Sequence, residues 1–232
     1  MTSTRADPPR PIPGHAAASD AGGSTNQAMT TTRLEAFSDA VLAIVITVMV
    51  LDLKVPAGHD LAALRHSTGD GLLSYLLSFI YLGIYWNNHH HLFQLAGCLT
   101  GSILWANLHL LFWLSLLPFT TAWVDGTGFA KTPLMIYGLN LLAAGLAYVL
   151  LQTGIIHSQG EDSALRQAIG HDAKGKVSLV LYLAGVAGTW LSGSTQALAA
   201  PIAVACYITA AILWLIPDRR IKRVIDQRGV NR

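Results

Sequence analysis

Apolar residues gather into six long runs, at about 34–53, 71–95, 100–123, 133–157, 177–193 and 196–216. Each is close to the ~20 residues that cross ~30 Å of hydrocarbon at 1.5 Å rise per residue. The polar stripes at a 3.6-residue period that mark helices of a soluble bundle are mostly missing from them. The pattern predicts an all-α integral membrane protein with six transmembrane helices. Residues 1–32 are rich in Pro, Gly, Ser, Thr and Ala and hold no apolar run, so they read as a disordered tail. Residues 33–217 read as one six-helix membrane domain and 218–232 as a basic tail. The connectors are short. Residues 54–70 contain Pro56, Gly58 and a short amphipathic turn, LAALRH, and residues 158–176 are polar. No cleavable signal is expected, because the first apolar run begins late and carries Asp39.

That first run breaks the apolar pattern. Arg33, Ser38 and Asp39 stand at its mouth and in its first turns. An ionisable group in a spanning helix costs roughly 2.5 kcal/mol or more at the bilayer centre, so it faces protein or water. On a helix, Val48 and Leu51 fall within about 40° of Ile44, Thr47 lies about 60° to one side, and Asp39 lies about 140° away. Phe37 and Val41 extend the aliphatic stripe toward the N-terminus. Periodicity alone leaves that stripe as either a packing or lipid-facing surface or a working one. Ser38 and Asp39 need polar partners on other helices. The second run ends in Tyr85-Trp86-Asn87-Asn88-His89-His90-His91, and the third holds Trp105, Asn107 and His109. An Asp–His or Asp–Asn pair is the expected solution for Asp39. The three histidines point ~100° apart in turn, which does not chelate one ion from one helix face, so they read as interhelical hydrogen-bonding groups and no metal site is expected.

Two other patterns bear on packing. Gly185, Gly188 and Gly193 with Ala184 and Ala187 make the fifth run small-sided, as Ala143, Ala144, Gly145 and Ala147 do the fourth. Small residues let helices approach closely in lipid. Pro118 and Pro201 are expected to kink or bound their helices.

Composition and charge add an orientation. Hydrophobic residues make up 52% of the chain and charged residues 12%, the latter about half the share of a soluble domain. Twelve of the fifteen Lys and Arg lie in the N-terminal tail, the 158–176 connector and the C-terminal tail. Only Lys54, Arg65 and Lys131 fall on the other side. Both termini are therefore expected in the cytoplasm, and the basic tail reads as juxtamembrane rather than as a nucleic-acid surface. Cys98 and Cys206 offer neither a disulfide framework nor a metal spacing. There is no Walker A, HExxH or GxSxG motif, no TVGYG-like filter and no Arg-rich voltage-sensing helix. The sequence points to no enzyme and no cofactor.

The run RLEAFSDAVLAIVITVMVLDL closely resembles the first helix of the transmembrane protein 175 family of potassium channels. The family signature is an Arg, three residues, then Phe-Ser-Asp, met here by Arg33, Phe37, Ser38 and Asp39. YWNNHHHLF (85–93) and WANLHLLFWLSLLPFTT (105–121) extend the similarity. It covers most of residues 31–216, through specific motifs in the first three helices and through hydropathy in the last three. The resemblance implies a homotetramer in a prokaryotic plasma membrane, with helix 1 of each chain lining the pore and no re-entrant loop. It implies a hydrophobic constriction at Ile44, five positions after the motif aspartate, with further layers at Val48 and Leu51 and Thr47 beside them. Arg33, Phe37, Ser38 and Asp39, with Trp86, His89, His90 and Asn107, would hold the pore helix in register. The implied activity is passive potassium conduction, weakly selective over sodium. The alternatives are a proton-conducting channel or a proton-coupled secondary transporter.

Overall fold

The computed structural model describes residues 30–96, 99–160, 163, 165–166, 172–191 and 196–215. Of the tails expected at 1–32 and 218–232, residues 1–29 and 218–232 lie outside them, as do Cys98 and Gly193, while Thr31 and Thr32 are already helical. Among the described residues all regular structure is helical. Helix α1 (Thr31–Met49) is capped by Thr30, whose side chain accepts from the Arg33 amide at 3.4 Å, and it ends in a single 3-10 turn, Val50–Asp52.

Helix α2 (Leu61–Gln94) is longer than the hydropathy run suggested. The expected 54–70 connector with its short amphipathic turn does not hold: from Leu61 the chain is continuous helix. Asp60 caps it, Oδ1 accepting from the Ala63 amide at 2.8 Å, and the Leu-Ala-Ala-Leu-Arg stretch after it is made of strong helix formers. At 34 residues this helix is about 51 Å long, well beyond a ~30 Å hydrocarbon layer.

The third apolar run is two helices, α3 (Gly101–Ser115) and α4 (Leu117–Gly126). Pro118 stands in the first turn of α4, where its missing N–H interrupts the hydrogen-bond ladder. A turn with Gly128 and Phe129 both at φ 59° then leads into α5 (Lys131–Gln159). Helices α6 (Ala173–Leu191) and α7 (Gln196–Leu215) complete the fold, with Pro201 inside α7. Among the described residues, three stretches are long and apolar enough to cross a membrane: Thr31–Asp52, Gly101–Gly126 and Lys131–Gln159. Ala199–Leu215 is a shorter apolar helix.

Helix α5 is the hub, packed against α3, α4, α6 and α7, while α1 lies to one side against α2, α3 and α4. The small residues of α5 and α6 serve one neighbour above all, the buried Tyr207 of α7. A Cβ on Gly138 would overlap the Tyr207 hydroxyl, and one on Gly185 would stand 2.5 Å from its ring. The hydroxyl donates to the Leu134 carbonyl at 3.4 Å, and the Tyr207 carbonyl accepts from the Tyr81 hydroxyl at 2.5 Å. Not all of the small-sided stripe packs this tightly: Gly188 has ordinary contact with Ile202, and Ala184 and Ala187 are exposed.

Gly138→Ala should therefore lower stability by about 1–3 kcal/mol through overpacking, read as a lower thermal midpoint in detergent. Tyr207→Phe in the same background should recover only part of the loss, because it removes the nearest clashing atom but leaves Tyr207 Cζ at 2.6 Å and Val186 Cγ2 at 2.9 Å. The same change should not relieve Gly185→Ala, whose conflict is with ring carbons.

Candidate pore-lining face and its anchoring network

Helix α1 carries two unlike faces. Leu34, Ser38, Leu42, Val45 and Met49 are buried, at steps of three and four residues that trace one stripe. The opposite stripe is open: Phe37 is 49% exposed, Ile44 61% and Val48 43%, with Thr47 also exposed, and Leu51 in the 3-10 turn that follows is 78% exposed. Val41, grouped with this stripe by sequence, instead turns partly inward against the core. The Thr47 hydroxyl donates to the Ile44 carbonyl at 2.9 Å, which spends its proton within the helix and leaves its oxygen lone pairs outward.

The buried stripe contains one polar residue, and a directed chain of hydrogen bonds accounts for it. Ser38 Oγ donates to the Leu34 carbonyl at 2.9 Å and accepts from Asn107 Nδ2 of α3 at 2.9 Å. Asn107 Oδ1 lies 2.8 Å from His89 Nε2 of α2. Since Oδ1 can only accept, His89 carries its proton on Nε2. All three residues are fully buried. The ring of His89 also packs on Phe93, centroids 4.5 Å apart. Among the described residues its Nδ1 has no partner. Three helices are thus tied at one point, as expected of polar groups in an apolar bundle.

A second set of contacts joins α1 to α2 on either side of Ser38. Trp86 Nε1 donates to Asp39 Oδ1 at 3.1 Å, and His90 Nδ1 pairs with Glu35 Oε1. Gln94 Nε2 donates to His90 Nε2 at 2.8 Å, so the Nδ1 proton is the one given to Glu35. The Trp86 ring stacks on His90, centroids 6.4 Å apart and planes 18° from parallel. Glu35 and Asp39 are one helical turn apart on α1, as are His90 and Trp86 on α2. The two pairs form the rungs of an antiparallel ladder.

The structure brings most of the expected residues together and changes some pairings. The Asp–His or Asp–Asn pair foreseen for Asp39 is replaced by the indole of Trp86, because both histidine and asparagine candidates are engaged elsewhere. Glu35, not singled out in the sequence, is the acidic partner of His90. The i,i+4 match of Glu35–Asp39 to Trp86–His90 was the available signal. Phe37 lies on the open face, apart from the network. The Arg33 side chain is exposed and, among the described residues, in no ion pair. The triplet divides in the structure as its angular spread required: His89 to Asn107, His90 to Glu35, and His91 toward Gln94 at 3.4 Å.

Asn107→Ala should be the costliest single change in this network, since it strands His89 Nε2 and removes the tie to Ser38 together. About 1–3 kcal/mol per buried group left unpaired is expected, measured as the thermal midpoint of the detergent-solubilised protein. Ser38→Ala should cost less, because it strands only one Asn107 N–H. For the ladder, a double-mutant cycle of Asp39→Asn with Trp86→Phe should give a coupling of about 0.5–1 kcal/mol, the size typical of interhelical bonds in membranes.

Comparison with known proteins places these residues. The family described as endosomal/lysosomal potassium channel TMEM175 matches residues 33–118, which hold the whole network. A potassium channel of Chryseobacterium sp. (strain P1-3) is 48% identical over 199 residues, covering 86% of this chain and all of that protein. The human endosomal/lysosomal proton channel TMEM175 is 42% identical over 72 residues, 26% of this chain and 14% of that protein. Among solved structures, the crystal structure of a lysosomal potassium-selective channel TMEM175 homolog from Chamaesiphon minutus superposes with a TM-score of 0.65 at 27% identity, covering 82% of this chain and 98% of that one. Near-half identity over the full length of a bacterial potassium channel, with the motif helices intact, means that this chain is a membrane protein and belongs to the TMEM175 family.

Proposed function

We propose that this protein is a passive potassium channel in which four copies of the chain place α1 around a central pore. The observation that carries the reading is the asymmetry of α1. One face is pinned inside its own bundle by Ser38, and the other presents Phe37, Ile44, Val48 and Leu51 uncovered. The bacterial relative named a potassium channel and the potassium-selective homolog from Chamaesiphon minutus support the same reading. The chain crosses the membrane six times in this proposal, with α3 and α4 forming one span and both termini in the cytoplasm. The channel domain begins with α1 and runs to about residue 217, between a disordered tail that ends before Thr30 and a basic 218–232 tail, in the plasma membrane.

Rings of Ile44, Val48 and Leu51 then stack along the axis, with Ile44 as the narrowest. A ring of aliphatic side chains gates by excluding water, and a small rotation or dilation admits it. Potassium is favoured modestly, because it gives up hydration more cheaply than sodium. The outward lone pairs of Thr47 offer partial compensation. No titratable side chain stands among Phe37, Ile44, Thr47, Val48 and Leu51, so the proton-conducting and proton-coupled readings have less support from this face than the potassium reading.

Ion flux from the purified tetramer in liposomes, under a potassium gradient opposed by sodium, tests the assignment. Wild type should give a potassium-favouring reversal potential. Ile44→Asn should raise conductance and move the reversal potential toward zero, because a polar ring wets the constriction. Equal currents and equal selectivity in the two proteins would remove Ile44 from the pore.

A further inference from the structure

One charged residue of α1 takes no part in the contacts that hold the helix. Arg33 precedes Ile44 by eleven residues, which on a helix puts it about 20° from Ile44 and about 16 Å nearer the start. It therefore extends the open stripe to the mouth of the helix. Its side chain is exposed, as those of Phe37 and Ile44 are. Among the described residues its guanidinium has no hydrogen bond and no ion pair. The two carboxylates at this end are turned away and engaged. Glu35 and Asp39 lie about 180° and 140° from Ile44. Glu35 pairs with His90 and Asp39 accepts from Trp86, both on α2. Residues 1–29 add no net side-chain charge, since Asp7 and Asp20 match Arg5 and Arg10.

The other end of the stripe differs in sign. Leu51 is followed by Asp52, which is exposed and, among the described residues, without a partner. Arg33 and Asp52 are roughly 30 Å apart by helical rise, about the thickness of the hydrocarbon layer, so the two charges stand at opposite membrane faces. The dipole of α1 has the same sense, positive at its start and negative at its end.

On the basis of the four-copy pore proposed above, we infer that four Arg33 side chains form a cationic ring at the cytoplasmic mouth. The ring makes conduction asymmetric, with potassium passing more readily inward than outward. Fixed positive charge lowers the concentration of cations waiting at its own mouth and leaves the far mouth unaffected. At about 8 Å from each of four unit charges, Coulomb's law in water depletes potassium by about fivefold in 0.1 M salt and by about 1.3-fold in 1 M salt. Ile44 then governs wetting and width, and Arg33 governs the direction of easier flow.

Currents carried by the full chain in excised membrane patches, with one potassium chloride solution on both faces, test this. In 0.1 M salt, outward current should be smaller than inward current at equal and opposite voltages, by about threefold or more, and in 1 M salt the two should be nearly equal. Arg33→Gln should remove the asymmetry in 0.1 M salt by raising outward current severalfold. Arg33→Lys should keep it, because the ring acts through charge and not through the planar fork of the guanidinium. A residue that only held the helix in place would give neither the salt dependence nor the rescue by lysine. If Arg33→Gln does not assemble, the salt series on wild type and on Arg33→Lys decides. Symmetric wild-type currents in 0.1 M salt would overturn the ring, as would an asymmetry that survives in Arg33→Gln or in 1 M salt. If those currents still respond to Ile44→Asn, the pore stands and only the role of Arg33 falls. Absence of potassium current from wild type and Ile44→Asn alike would overturn both.

Discussion

The rotation of α1 about its own axis is the constraint on which the rest depends. A serine in the middle of a buried apolar stripe is a liability unless its hydroxyl is satisfied. In α1 the hydroxyl proton goes to the Leu34 carbonyl of the same helix, and at one rotation the oxygen also accepts from the buried Asn107, which in turn holds His89. A turn of the helix by one residue would bury Phe37 or Asp39 in place of Ser38 and leave Asn107 with nothing to bond. With the inner face fixed, the outer face follows from helical geometry. Ile44, Val48 and Leu51 point away from the bundle because Leu42, Val45 and Met49 point into it. The Glu35–His90 and Asp39–Trp86 rungs, on either side of Ser38, hold the same rotation.

This arrangement separates holding from conducting. Apart from the exposed Arg33 at the helix mouth, the charged groups of α1, Glu35 and Asp39, bond to α2, and the buried Ser38 bonds to α3. From Phe37 to Leu51 the side left for a pore is apolar apart from Thr47, whose proton is already committed to the Ile44 carbonyl. Such a surface binds no ion strongly and controls passage through wetting and width. The remaining helices supply a stiff wall behind it, with α5 at the centre and Tyr207 seated in the notch made by Gly138 and Gly185.

What the sequence revealed follows from which signals are local. The two faces of α1 were legible because a 3.6-residue period sorts Ile44, Val48 and Leu51 from Asp39 without knowledge of any neighbour. The triad of Ser38, Asn107 and His89 was legible as a set of residues in need of partners, but not as pairings. Asp39 finds an indole N–H rather than a histidine, because partner choice depends on helix register across the contact. Glu35 was hidden by its place at the helix mouth, where a carboxylate needs no special explanation. The early start of α2 was hidden too, since Arg65, His66 and Asp70 dilute the apolar pattern while Asp60 and LAALR already specify a helix.

Thiol accessibility along α1 tests the central claim most directly. In a background with Cys98 and Cys206 replaced by serine, single cysteines at positions 44, 47, 48 and 51 should each render the potassium current sensitive to block by a small cationic thiol reagent. Cysteines at 42, 45 and 49 should leave the current unaffected. Block at the second set and not at the first would mean that α1 presents its other face to the ions, and would contradict a rotation fixed by Ser38 and Asn107.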